Sequence, residues 1–165
     1  MRLAALLLLA VAVLPAAPRV VEGAWDQSGR TVAYRARIPE GEGRRPTVLI
    51  SHGLGGNRDA MDYLGRHWAD RGYLVVHLQH PGSDDRIWSG MVFNREKTVQ
   101  AATSVDEFKA RVADVRLALD RLLADAGLAG RHDPSRVAIC GHSYGARTSM
   151  AVSGERFPTA PDADH

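Results

Sequence analysis

Residues 141–145 read Gly-His-Ser-Tyr-Gly, and they sit where a strand-like apolar run, Arg136 to Cys140, gives way to a helix-like run ending near Glu155. A serine hydroxyl is a weak nucleophile. It becomes effective when a base takes its proton and polar donors wait for the oxyanion that its attack creates. Gly-x-Ser-x-Gly between a strand and a helix supplies part of that machinery. The turn is sharp enough to hold the serine in a strained conformation with its oxygen exposed, and the glycines let neighbouring backbone approach. The N–H of Tyr144 then lies at a helix N-terminus, aimed at developing negative charge. Ser143 is therefore the candidate nucleophile. An incidental serine in a glycine-rich turn is the alternative, and the strand before and helix after weigh against it.

A second motif follows another short apolar run, Thr47 to Ser51: His-Gly-Leu-Gly-Gly, His52 to Gly56. A loop there can offer a backbone N–H to the same oxyanion. It is not a dinucleotide loop, because Arg58 stands where the third glycine of Gly-x-Gly-x-x-Gly belongs and the next strand ends without an acid for a ribose. Cys140 beside His142 falls within the strand, where it reads as a small hydrophobe rather than a thiolate. His77 and His80 have the spacing of a metal pair but no third ligand, so neither metal nor cofactor is expected.

Several elements must position these residues. Thr31 to Ile38 alternates polar and apolar and ends at Pro39, as an early or edge strand does. Thr47 to Ser51, a helix between Asn57 and Arg71, and Tyr73 to Leu78 form a strand–helix–strand unit, which implies parallel pairing. Gln79 to Thr103 reads as a long irregular loop. Val105 to Ala126 is a helix with Val105, Phe108, Val112, Val115, Leu119 and Leu122 on one apolar stripe. Ser104 and Glu107 form a capping box, and Gly127 is a left-handed stop. The fold class is α/β: an open, mostly parallel sheet with flanking helices.

The chain has 165 residues, 21 basic and 19 acidic, a balance that gives no nucleic-acid surface. Arg2, the apolar stretch Leu3 to Leu14 and the small residues to Ala17 read as a signal peptide over residues 1–17, too short to span a membrane. This predicts a secreted or periplasmic protein with no membrane span. One domain is expected over residues 25–157, followed by an irregular tail, 158–165. With Cys140 the sole cysteine, no internal disulfide can form.

The stretches VLISHGLGGNRD, GYLVVHLQHPGSDD and VAICGHSYGARTSM resemble the α/β-hydrolases of the dienelactone-hydrolase-like and platelet-activating-factor-acetylhydrolase-like group. The resemblance covers the chain from about Thr47 to Ser153. It implies an acyl-transfer esterase acting on a small ester or lipid-like substrate through an acyl-serine. Ser143 would be the nucleophile, and the N–H groups of Leu54 and Tyr144 the oxyanion donors. His52, Gly53, His80 and His142 would lie around the pocket.

That family places its acid and histidine after the serine. Only Glu155, Asp162, Asp164 and His165 follow Ser143 here, with no further strand to carry them. His142, His52, His77 and His80 are poor substitutes. The triad acid and histidine are therefore expected to be missing, the fold C-terminally incomplete, and the chain alone inactive. A binding module that kept the pocket and lost the triad is the alternative.

Overall fold

The computed structural model describes residues 17–89 and 91–156. The expected leader (apart from its last residue, Ala17) and the expected tail lie outside them, as do Asp162, Asp164 and His165.

Five strands form one sheet in the order β1-β2-β4-β3-β5. Strand β1, Arg19–Gln27, and β2, Arg30–Ile38, form an antiparallel hairpin. Its two-residue turn is Ser28-Gly29, with φ of 51° and 80°. Two positive φ values give the turn the twist that matches its strands. Thr31 to Ile38 is thus not an edge: β1 covers its outer side, and β4 pairs with the other. Strand β1 accordingly begins upstream of residue 25.

Strand β3 (Arg45–Ser51), β4 (Leu74–Gln79) and β5 (His132–Gly141) are mutually parallel, with β3 in the middle. Helix α1, Asp62–Ala69, connects β3 to β4. Gln79 to Thr103 is richer than the irregular loop expected there: it carries a 3-10 turn at Asp85–Trp88 and helix α2 at Met91–Ala102, broken at Asn94. Helix α3, Val105–Ala124, follows. Helix α4, Tyr144–Val152, follows β5.

The alternation of β3 and β4 divides the core. Leu49, Leu74, Val76 and Leu78 pack with Val115, Ala118 and Leu122 of α3, while Val48, Ile50 and Val75 pack with Ala69 of α1. A strand covered on both faces has no polar side to show, which is why these runs read as continuously apolar. The hairpin is pinned to the end of α3. Trp25 and Tyr34 stack at 4.0 Å, and both donate to the Asp125 carboxylate, at 3.2 and 3.1 Å.

Helix α3 differs from its sequence reading in three ways. Ser104 caps it by accepting the Glu107 N–H at 3.1 Å, but the Glu107 carboxylate turns to Arg30 and Ser83. The helix stops at Ala124, and Asp125, in extended conformation, accepts the N–H of Gly127, so no left-handed glycine is used. Val105 is 68% exposed, and the buried stripe instead includes Arg111 and Asp114 beside Val115, Ala118 and Leu122.

Among the described residues, no helix is long and apolar enough to cross a membrane. Leu49 is fully buried in the central strand. Leu49→Ala should cost about 3 kcal/mol, read as a lowered urea midpoint. A loss well under 1 kcal/mol would contradict this core placement.

Candidate active site

Ser143 is the joint between β5 and α4. Its backbone has φ 54° and ψ −115°, and its side chain makes no capping hydrogen bond with the helix. A non-glycine residue held there costs on the order of 1–3 kcal/mol, so the surroundings must enforce it. They do so by close packing. A side chain at Gly145 would collide with the Ser51 carbonyl, and one at Gly141 with the backbone of Gly145. The end of β3 therefore lies directly against the turn, and Ser143 is left exposed at its apex.

The loop after β3 lies beside the serine. A Cβ built on Gly53 would be 3.5 Å from the Ser143 Cβ and 3.2 Å from the His142 Nδ1. Gly56 donates to the Gly53 carbonyl at 3.1 Å, so residues 53–56 form a turn. Leu54 is the second residue of that turn, a position whose N–H the turn leaves unused. Tyr144 opens α4, and its N–H belongs to the first four amides that have no partner within a helix. The arrangement sets an exposed hydroxyl beside two backbone segments with N–H groups to spare.

His52 and His80 are at 1% and 0% exposure, so their rings belong to the interior and not to the pocket lining expected of them. His52 Nδ1–H donates to the Gly53 carbonyl at 2.6 Å, and its Nε2 accepts the His80 backbone N–H at 3.0 Å. Those two bonds fix one neutral tautomer. Burial drives its pKa down to about 4. His80 Nδ1 faces Asp114 Oδ2 at 2.9 Å, and its Nε2 faces Ser51 Oγ at 2.9 Å. Burial and the neighbouring Arg111 push its pKa well below the ordinary value. A neutral His80 then donates to the carboxylate and accepts from Ser51. Serine, histidine and aspartate thus stand in relay geometry, but sealed: Ser51 is at 0% and Asp114 at 2% exposure, so no substrate reaches them.

Arg111 joins this relay to the site. Its fully buried guanidinium donates to Thr148 Oγ1 at 3.1 Å, Ser83 Oγ at 2.9 Å, Ser51 Oγ at 3.1 Å and the His52 carbonyl at 2.5 Å. It also lies 4.6 Å over the Tyr144 ring. Burial lowers its pKa to about 10, which leaves it charged at neutral pH. Arg30 forks onto Asp114 at 2.7 and 2.9 Å and balances the acid. The sequence reading missed these residues. Their signal was the phase of Arg111 and Asp114 with Val115, Ala118 and Leu122 on α3.

His142 is exposed at the turn. His77 points the other way, to the Ala60 carbonyl at 3.1 Å under α1, so it shares no site with His80. Cys140 is half-buried, with its thiol pKa raised by burial, as for an inert side chain. Glu155 is exposed beyond the end of α4. The described residues give Ser143 Oγ no hydrogen-bond partner.

No protein-family model matches the chain. Among curated proteins it is 26% identical to cutinase est2 of Thermobifida alba over 136 residues, covering 81% of this chain and 37% of that protein. The same identity relates it to cutinase 2 of Thermobifida cellulosilytica, with 42% of that protein covered. It therefore spans about two fifths of the length of these relatives. Among solved structures, a ferulic acid esterase from Streptomyces cinnamoneus superposes with a TM-score of 0.61 at 18% identity, over 88% of this chain and 57% of that one. Dienelactone hydrolase from Anabaena variabilis gives a TM-score of 0.59 at 16% identity, over 86% and 59%. The chain has the α/β-hydrolase fold. The sheet carries β1 to β5, and β5 is paired only on its β3 side among the described residues.

The buried imidazoles give a pH dependence with a definite sign. His52 and His77 have folded pKa values near 4 against an ordinary 6.5, both through burial. Below 6.5 the unfolded chain binds protons that the folded chain refuses, so stability is full above that pH and declines as pH falls towards 4. NMR titration should keep both rings neutral until about pH 4, while the urea midpoint drops across the same window. Rings that titrate near 6.5 would contradict their burial.

Proposed function

We propose that this chain carries the nucleophile and oxyanion half of a serine ester hydrolase. Ser143 Oγ attacks the ester carbonyl, and the N–H groups of Leu54 and Tyr144 receive the oxyanion. The intermediate collapses to an acyl-serine with loss of the alcohol, and water then releases the acid. The observation that carries the reading is the strained, exposed Ser143 at a glycine-packed strand–helix turn, beside the Gly53–Leu54 backbone. The cutinases and esterases among its relatives support ester chemistry.

The proton acceptor for Ser143 is, in this reading, supplied by residues outside the described ones, together with its acid partner. The described histidines at 52, 77, 80 and 132 are buried and held by other groups. The open side of β5, where Val137 is 40% exposed, is a place for further strands of the sheet. The substrate is a small or lipid-like ester. The leader read at residues 1–17 would place the enzyme outside the cytoplasm.

A pocket that binds without turnover is the competing reading, favoured because no described side chain hydrogen-bonds Ser143 Oγ. The two separate on a covalent test. The full-length natural protein, treated with a fluorophosphonate and digested, should carry one phosphonyl group on Ser143, and Ser143→Ala should carry none. Absence of labelling in the natural protein would leave the binding module.

A further inference from the structure

The Arg111 side chain touches every segment from which the proposed oxyanion site is built. It holds the start of the 52–56 loop through the His52 carbonyl at 2.5 Å. It reaches the loop's far end through Ser83, whose Oγ accepts from Nη1 at 2.9 Å and whose carbonyl accepts the Gly55 N–H at 2.8 Å. It holds the nucleophile helix through Thr148, whose Oγ1 accepts from Nε at 3.1 Å and donates to the Tyr144 carbonyl at 3.0 Å. The fourth contact, Ser51 Oγ, leads into His80, Asp114 and Arg30.

We propose that Arg111 is a positioning residue for ester hydrolysis: one buried guanidinium fixes the distance between the Leu54 and Tyr144 N–H donors. The proposal rests on the nucleophile reading above and adds a role for a residue that touches no substrate. The planar fork explains the choice of residue. Separate nitrogens serve α4, the Ser83 loop and the end of β3 at fixed angles, which a single ammonium cannot reproduce. The relay to Asp114 keeps Ser51 Oγ–H turned to His80, so that this hydroxyl accepts from Arg111 and does not compete with it. The expected size of the effect follows from the worth of one oxyanion donor, roughly 100-fold or more in rate when lost outright. A donor displaced rather than deleted should lose part of that.

The test compares Arg111→Lys, Thr148→Val and Thr148→Ser with the natural full-length protein. The limiting rate of fluorophosphonate labelling should fall about tenfold or more in Arg111→Lys, with the half-saturating probe concentration little changed. Thr148→Val should show a smaller fall of the same kind, and Thr148→Ser, which keeps the hydroxyl, should recover. Amide exchange should speed at Gly55 and Gly145 in Arg111→Lys while Val75 and Val76 of β4 stay protected. Natural rates together with unchanged exchange at Gly55 would overturn the proposal. If Arg111→Lys fails to fold, the two Thr148 variants decide. If the natural protein is not labelled at all, the nucleophile reading fails by itself. Exchange at Gly55 and Gly145 then decides the clamp: faster exchange supports it and unchanged exchange overturns it.

Discussion

The carbonyl of Ser51, at the end of the central strand, occupies the space that a side chain at Gly145 would need. That contact sets the geometry around it. It brings β3 and the start of α4 together more closely than two side-chain-bearing segments can approach. It forces the chain between β5 and α4 into a turn with Ser143 at positive φ. It also sets the Gly53–Leu54 loop beside that serine. Strain at a single residue persists only where surrounding packing over-determines it. Here parallel pairing of β3 with β5 on one side and the helix on the other supplies the constraint.

Beneath this contact the molecule buries charge. Arg111 and Asp114 take core positions on α3, with Arg30 reaching in from β2. Burying ions is costly, and an apolar replacement of equal volume often matches or exceeds a buried pair in stability. The network is therefore not explained by stability. What it offers is direction: the Arg111 guanidinium bonds three segments that converge on the turn, the end of β3, the Ser83 loop and α4. A hydrophobic plug could fill the same volume without fixing the angles of the His52 carbonyl or the Thr148 hydroxyl.

The sequence made much of this visible. The β3–α1–β4 unit and helix α3 could be read because buried parallel strands and amphipathic helices leave strong periodic signals, and β5 and the Ser143 turn because a short apolar run, Val137 to Cys140, meets a glycine-flanked serine. Strand β1 left almost none: only Trp25 among its residues is buried, and its order comes from pairing with β2 across a Ser-Gly turn. Helix α2 was hidden for a similar reason, since its residues from Asn94 to Ala102 are largely exposed and show no apolar face. At the site, the serine and the glycine loop could be read, whereas the interior roles of His52 and His80 could not. A histidine near a motif carries no mark of which way its ring turns. That depends on Asp114 and Gly53 after folding.

Ester hydrolysis at Ser143 requires the oxyanion to lie between the turn and the Gly53–Leu54 loop. A crystal structure of the full-length protein after phosphonylation would show this directly. The phosphonyl oxygen should sit on Ser143 within hydrogen-bond reach of both the Leu54 and Tyr144 backbone nitrogens. An adduct oxygen directed away from Leu54, or Ser143 found inside a continuous helix, would contradict it.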